Sequence, residues 1–303
     1  MKDRPIAIIG AGIVGTAVGE ALESRGFKIA VVSARTESSL ARAGARLGAR
    51  LTSDPVDAAK SGDIIFITTP DDSVRQVCED IAANGGFDSN DTVFHMSGAL
   101  GLSALGGAIH YGAHVGSIHP MQTFSDIDAA VASLPGSVFG VTAEGETLSL
   151  AEEIVSVLGG ESFLIRDEDK PIYHVAACAI SNYLVSLVHY GEKLYGEIGV
   201  SKETADKAFM PLLRSTINNI EKKGTPASLT GPIARGDAET VRTHLRAMET
   251  AAPWAISLYK ELGAYTIKVA LEKGSISREK AAELKEIMEG ENCRQMLRGE
   301  RRV

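Results

Sequence analysis

The first half of the chain alternates short apolar runs with longer amphipathic stretches. Residues 6–9, 28–33, 63–68 and 92–96 are rich in β-branched and aromatic side chains and nearly free of charge, as are 115–118, 138–141 and 162–165. Runs of this length predict buried strands. Helical spacing separates several of them, through Leu22 and again near 148–158. Strands in such alternation predict a parallel sheet covered by helices on both faces, an α/β fold. After Arg166 the texture changes. Asp167-Glu168-Asp169-Lys170-Pro171 is a charged punctuation, and Pro171 suits the first position of a helix. Helices are predicted from there to about Tyr195 and over 202–223, 238–262 and 278–288. Two domains are therefore expected, an α/β domain over 1–167 and an all-helical domain over 168–303, with the boundary near 167.

Composition narrows the function classes. The 303 residues are 44% hydrophobic and 23% charged, which excludes a disordered or collagen-like chain. Glycine is plentiful (31) and aromatics scarce (5%), so tight backbone turns are favoured over an aromatic binding sheet. The net charge of −8 argues against nucleic acid or an anionic membrane as a partner. A small anionic ligand then requires a local cationic or backbone-amide site. Cys78, Cys178 and Cys293 are scattered and odd in number, with no zinc spacing, so no metal is expected and a reducing cytoplasm is the expected location. The N-terminus runs straight into a strand and does not read as a signal peptide. The longest uncharged stretch, 172–191, contains His174, Ser181, Asn182 and His189. That polar load suits a buried helix better than a membrane span of about 20 residues. The polar tail from Glu289 is expected to fray.

Gly10-Ala11-Gly12-Ile13-Val14-Gly15 follows the first strand directly and opens a helical run. In that context G-x-G-x-x-G predicts a dinucleotide site. Gly10 permits the turn, Gly12 admits the pyrophosphate to backbone amides, and Gly15 lets helix and strand pack closely. The end of the second strand reads Val31-Val32-Ser33-Ala34-Arg35-Thr36, with no carboxylate before Glu37. Ser33 and Arg35 suit a 2′-phosphate, so NADPH is expected over NADH.

Further polar groups lie at predicted strand ends. Thr69 and Pro70 are expected to line the nicotinamide-ribose pocket, and Asp71 and Asp72 to cap the next helix. Ser97-Gly98 reads either as a seat for a substrate carboxylate or as an ordinary turn. His174 and Ser181 lie about 20° apart on a helical wheel, and Asn182 about 80° from His174. All three are expected to face one cleft, with His174 as the group that polarises a carbonyl and passes a proton. A core histidine bonded to a carbonyl is the bland alternative. Arg235, in Leu229-Thr230-Gly231-Pro232-Ile233-Ala234-Arg235-Gly236-Asp237, reads either as a carboxylate ligand or as half of an Arg–Asp pair, with Asp237 as a helix cap. His119, in His119-Pro120-Met121, either touches substrate or nicotinamide or orders its loop.

Over nearly residues 5–265 the chain resembles predicted oxidoreductases that join an NADP-binding Rossmann-like domain to a helical C-terminal domain of unknown function. His119-Pro120, Tyr173-His174 with Ala176-Ala177, Ser181-Asn182, and Leu229-Thr230-Gly231-Pro232 with Arg235-Gly236-Asp237 carry the resemblance. The family is similar to the 6-phosphogluconate dehydrogenase-like superfamily, near ketopantoate reductases, pyrroline-carboxylate reductases and 3-hydroxyacid dehydrogenases. The resemblance implies a Rossmann-type doubly wound sheet, a helical domain that supports a homodimer, and an active site in the interdomain cleft. One departure matters. Standard members carry a helical Lys-x-x-x-Asn pair whose lysine donates a proton, and here the position four before Asn182 is Cys178. The resemblance then leaves His174 or Lys170 to supply the proton, with Asn182 orienting the substrate.

These readings combine into an NADPH-dependent reductase of a small anionic oxo acid, ketopantoate first. His174 and Asn182 act on the carbonyl, and Ser97, His119, Ser181 or Arg235 contact the substrate. The alternatives are an imine reductase of the pyrroline-carboxylate type and a non-catalytic NADP sensor. Sequence alone leaves substrate, reaction direction and oligomer size open.

Overall fold

The structure, a computed structural model, describes residues 3–290. Cys293 and the tail beyond Gly290 lie outside the described residues. Two compact units divide between Asn182 and Tyr183, one helix beyond the change of texture at 167.

The first unit holds eight strands: β1 (Ile6–Ile9), β2 (Ile29–Ser33), β3 (Arg50–Thr52), β4 (Ile64–Ile67), β5 (Thr92–His95), β6 (His114–Pro120), β7 (Val138–Thr142) and β8 (Glu161–Leu164). They form one sheet in the order β3-β2-β1-β4-β5-β6-β7-β8. Its helices are α1 (Ile13–Glu23), α2 (Glu37–Gly44), α3 (Pro55–Ala59), α4 (Asp71–Ala83), α5 (Gly106–His110), α6 (Ile127–Ser133), α7 (Gly145–Leu158) and α8 (Lys170–Ile180). The strand order reverses between β1 and β4, the switch point at which ligands bind in doubly wound sheets.

The apolar runs become strands because their residues divide between two cores. Ile6, Ile8, Ile64 and Phe66 pack into one layer, while Ala7, Ile9, Ile65 and Ile67 pack into the other. Period-two alternation sends neighbouring side chains to opposite faces, so both faces must be covered. The sheet is not wholly parallel: β7 runs antiparallel to β6, with His119 opposite Gly140. The edge strand β8 is exposed along its whole length, unlike the buried strand its sequence predicts.

The second unit contains α9 (Asn182–Glu197, beginning at the boundary), α10 (Lys202–Lys223), α11 (Thr225–Ser228), α12 (Ala238–Ala251), α13 (Ile256–Glu272) and α14 (Arg278–Glu289). Ile233, Val241, Ile267, Leu284 and Met288 anchor its main core. The single helix expected over 238–262 is broken, because Ala252 precedes Pro253 and takes an extended φ of −148°. A residue before proline is driven out of the helical region.

The helix expected to be buried over 172–191 is another correction. It breaks at Ser181 into α8 and α9, and no residue of α9 is buried. Ile172, Val175, Ile180, Tyr183 and Val185 are all more than half exposed. An apolar run signals a need for cover, and these five side chains are left without it among the described residues. The stretch 167–197 is long and apolar enough to cross a membrane by length and composition alone.

Candidate active site

The glycine turn sits where β1 hands over to α1. Gly10 has φ +113°, a backbone conformation that suits glycine alone. A Cβ on Gly15 would overlap the Gly10 carbonyl oxygen and Thr68 Oγ1, so this glycine permits the close helix–strand contact. Gly12, at the N-cap of α1, is different, because a Cβ there would meet nothing within 4 Å. The chain leaves room beside Gly12, at the end of α1 where free amides and the helix dipole favour an anion. Thr68 locks the turn across the switch point, donating from Oγ1 to Gly10 O at 2.7 Å.

A cavity of about 310 Å³ opens along this turn, lined by Gly10, Ala11, Gly12, Ser33, Arg35 and Thr69 among others. Ala11 and Gly15 are buried; Ile13 and Val14 form the first turn of α1. Arg35 is exposed at the cavity mouth and makes no hydrogen bond or ion pair within the described residues. Thr36, Ser39 and Ser53 line the same end, and sequence reasoning missed them. Thr36 caps α2 by accepting from Ser39 N, a Thr-x-x-Ser spacing that marked the helix start. Thr69 Oγ1 is buried without a partner, and Pro70 follows it in the cavity wall. Buried hydroxyls are normally bonded, so a ligand atom is the natural complement.

A second group of polar side chains gathers at the carboxyl ends of β5 and β6. Lys170, at the start of α8, is 1% exposed and donates from Nζ to Ser117 Oγ at 2.7 Å and Ser97 O at 3.1 Å. Burial pushes its amine down to about 8, against the partial support of Asp167 and Asp71. His95 is fully buried, accepts at Nδ1 from Ser97 N, and is pushed down to about 3 by burial and by the Lys170 charge. His119 Nδ1 lies 2.7 Å from the Tyr173 hydroxyl, and the same two causes push it down to about 4. His174 stands 6.1 Å from His119, ring to ring. Its Nε2 meets Cys178 Sγ at 3.4 Å, while its Nδ1 is buried and unpartnered.

Several expected roles change. Ser97 does not offer a free hydroxyl: Oγ donates to Asp71 Oδ2 at 2.6 Å and accepts from the Ala99 and Leu100 amides. It holds the turn after β5, and Asp71 is its partner rather than a cap of α4. Asp72 does not cap α4 either, since Pro70 is the N-cap residue. Ser181 keeps the helical bond to Ala177 O, but Asn182 starts the next helix and is exposed. The single face expected for His174, Ser181 and Asn182 is therefore interrupted. Arg235 lies in the second unit, two-thirds exposed, with Asp237 at 4.0 Å, and Asp237 caps α12 through Thr240 N as expected. Tyr173, quoted for the motif but given no role, belongs to the cluster.

Residues 3–120 match the Rossmann-like domain, and residues 137–266 match DUF2520, a domain of unknown function. The chain joins these two domains. The expected extent of 5–265 corresponds to the two matched segments. No curated protein matches the chain. Among solved structures it is similar to a protein designated an NADP oxidoreductase from Bacteroides fragilis, at 23% identity over 88% of this chain and 99% of that one, with a TM-score of 0.72. A protein of Thermotoga maritima gives 24% identity over 88% and 99%, with a TM-score of 0.71. A reductive aminase from Aspergillus terreus, solved with NADPH and ethyl-5-oxohexanoate, gives 17% identity over 98% and 94%, with a TM-score of 0.61. At these identities the likeness establishes a shared fold.

Proposed function

We propose that this protein is an NADPH-dependent reductase of a small oxo acid, with ketopantoate the first substrate to test. The observation that carries the reading is the cavity at Gly10–Gly15, where Gly12 leaves open space, Thr69 Oγ1 lacks a partner and Arg35 is an uncommitted cation. These residues fit the cofactor. The α1 amides suit its pyrophosphate, Ser33 and Arg35 its 2′-phosphate, and Thr69 its ribose. NADPH, when bound, supplies the hydride that reduces an electrophilic carbon. The shared fold with a reductive aminase solved with NADPH supports the same assignment.

The chain's own part is to hold the substrate oxygen and deliver a proton. His174 is the residue we assign that role, and its buried Nδ1 without a protein partner supports the assignment. A general acid in this position contributes about 10²–10⁴-fold. Lys170 shares its ammonium between Ser97 O and Ser117 Oγ, and so shapes the site through charge and geometry rather than by meeting substrate. NADPH consumption with ketopantoate, pyrroline-5-carboxylate and 3-oxo acids tests the reading. Turnover of an oxo acid is expected, and none on the whole panel overturns it.

Likeness to a reductive aminase and to a pyrroline-5-carboxylate reductase from Coxiella burnetii favours a second reading, reduction of an imine. An imine makes less demand on an acid, so His174→Ala would then keep most activity. We further propose a cytoplasmic homodimer that uses neither nucleic acid nor membrane. The exposed apolar side chains of α8 and α9 support a dimer, and the His174, Ser181, Asn182 and His189 side chains within that stretch argue against a lipid surrounding. Sedimentation as a monomer at micromolar concentration would remove the dimer.

A further inference from the structure

We propose that His119 is a second catalytic residue, an Nε2–H donor to the substrate's reducible oxygen, and that Tyr173 is the positioning residue that fixes this tautomer; the proposal rests on the reductase reading above. Three residues from distant parts of the first unit meet at one point. A Cβ on Gly98 would lie 2.8 Å from His119 Nε2 and 2.9 Å from His174 Nδ1. The two ring nitrogens therefore border the same bare α-carbon, at the carboxyl end of the sheet where doubly wound folds bind ligands. His174 Nδ1 is buried and unsatisfied there, which marks the place as one that expects a polar ligand atom.

The tautomer follows from the groups behind His119. Its Nδ1 faces the Tyr173 hydroxyl at 2.7 Å. Burial pushes that phenol up to about 12, so it keeps its proton, and among the described residues Nδ1 is its one hydrogen-bond partner. A hydroxyl with a single partner satisfies its hydrogen only by giving it to that nitrogen, so Nδ1 accepts. The imidazole then carries its single hydrogen on Nε2. Lys170 and His174 on α8 discourage a second proton, and Asp71 on α4 is the one facing group that favours it. His119 is thus held as a donor and not as an acid, a neutral electrophilic imidazole.

A donor at this point selects the substrate class. A carbonyl oxygen offers lone pairs to Nε2–H, whereas a protonated iminium offers none, so the geometry favours an oxo acid over an imine. On reduction the carbon gains its hydride and the former π pair moves to oxygen. Nε2–H hydrogen-bonds that oxygen without losing its proton. The proton that completes the hydroxyl comes from solvent by way of His174, whose Nδ1 borders the same point.

Nitrogen-15 NMR of histidine-labelled, cofactor-free protein reads the tautomer directly. A neutral Nε2–H form of His119 near pH 7 is expected in the wild type, a measurement that needs no variant to fold. In Tyr173→Phe the tautomers should mix, the His119 titration and the acid limb of kcat/KM should move together toward higher pH, and kcat should fall about 10–100-fold with KM little changed. An Nδ1–H form in the wild type overturns the proposal, as does a Tyr173→Phe protein with unchanged tautomer and pH profile. An active reductase with the wrong tautomer sinks this proposal alone. A correct tautomer with no NADPH consumption removes the reductase reading, and the catalytic role with it.

Discussion

The cavity at Gly10–Gly15 draws on one six-residue stretch and the strand ends beside it. The cluster at Gly98 draws on Asp71, Ser97, Ser117, His119, Lys170 and Tyr173, brought together from three elements and the turn after β5. The first is built of backbone, with conformational freedom and open space as its working parts. The second is built of side chains whose protonation depends on one another. A backbone site is insensitive to pH and sensitive to a single methyl group; a cluster of titratable groups behaves the other way round.

The largest test of that contrast is pH. Lys170 is held near 8 in the fold and returns to its ordinary 10.5 when unfolded. Between those values the unfolded chain binds more protons, so stability rises with pH, by about 3 kcal/mol in all. Below pH 8 both states are charged and the cost of the buried ammonium is present in full. Lys170→Met should abolish the rise, as read by denaturant titration at pH 8 and 10.5. On the acid side the depressed His95 and His119 act in the same direction. Stability should fall as pH drops below their ordinary 6.5, because the unfolded chain takes up protons that the fold refuses.

At the cavity, Arg35→Ala should cost about 1.5–3 kcal/mol of NADPH affinity and leave NADH affinity unchanged, roughly a ten- to hundredfold loss of preference by calorimetry. The glycines then separate two roles within one motif. Gly15→Ala should lower stability by about 1–3 kcal/mol, since the Gly10 carbonyl it would overlap cannot step aside. Gly12→Ala should leave the melting temperature unchanged and weaken NADPH about tenfold, because its methyl group intrudes only on the ligand. The smallest effect is expected at the turn after β5. Ser97→Ala removes the bond to Asp71 and the acceptor for two amides, worth about 1–2 kcal/mol in thermal denaturation. An equal response of Gly12 and Gly15, or a flat stability profile around Lys170, would dissolve the distinction between the two regions.

What was legible in the sequence follows the same division. Gly10, Gly12 and Gly15 announced their roles because a turn, an open N-terminus and a close packing contact are local requirements. Arg35 was legible from what was missing beside it, a carboxylate. Ser97 reads either way in the sequence because its chemistry depends on Asp71, 26 residues away. Lys170 reads as a proton source, yet nothing in Asp167-Glu168-Asp169-Lys170-Pro171 reveals that its amine reaches Ser117 in the middle of the sheet. The apolar run at 172–191 was read as buried because hydrophobicity reports a need for cover, and not whether this chain or another supplies it.

The sequence by itself determined the strand-and-helix alternation, the nucleotide turn and the helical second half, since period, glycine placement and proline act over a few residues. Only the tertiary structure decided that β7 runs against β6, that Tyr173 stands behind His119, and that both imidazoles border Gly98. Those outcomes depend on the path of the chain between distant residues, and a buried group takes its protonation from neighbours that only folding supplies.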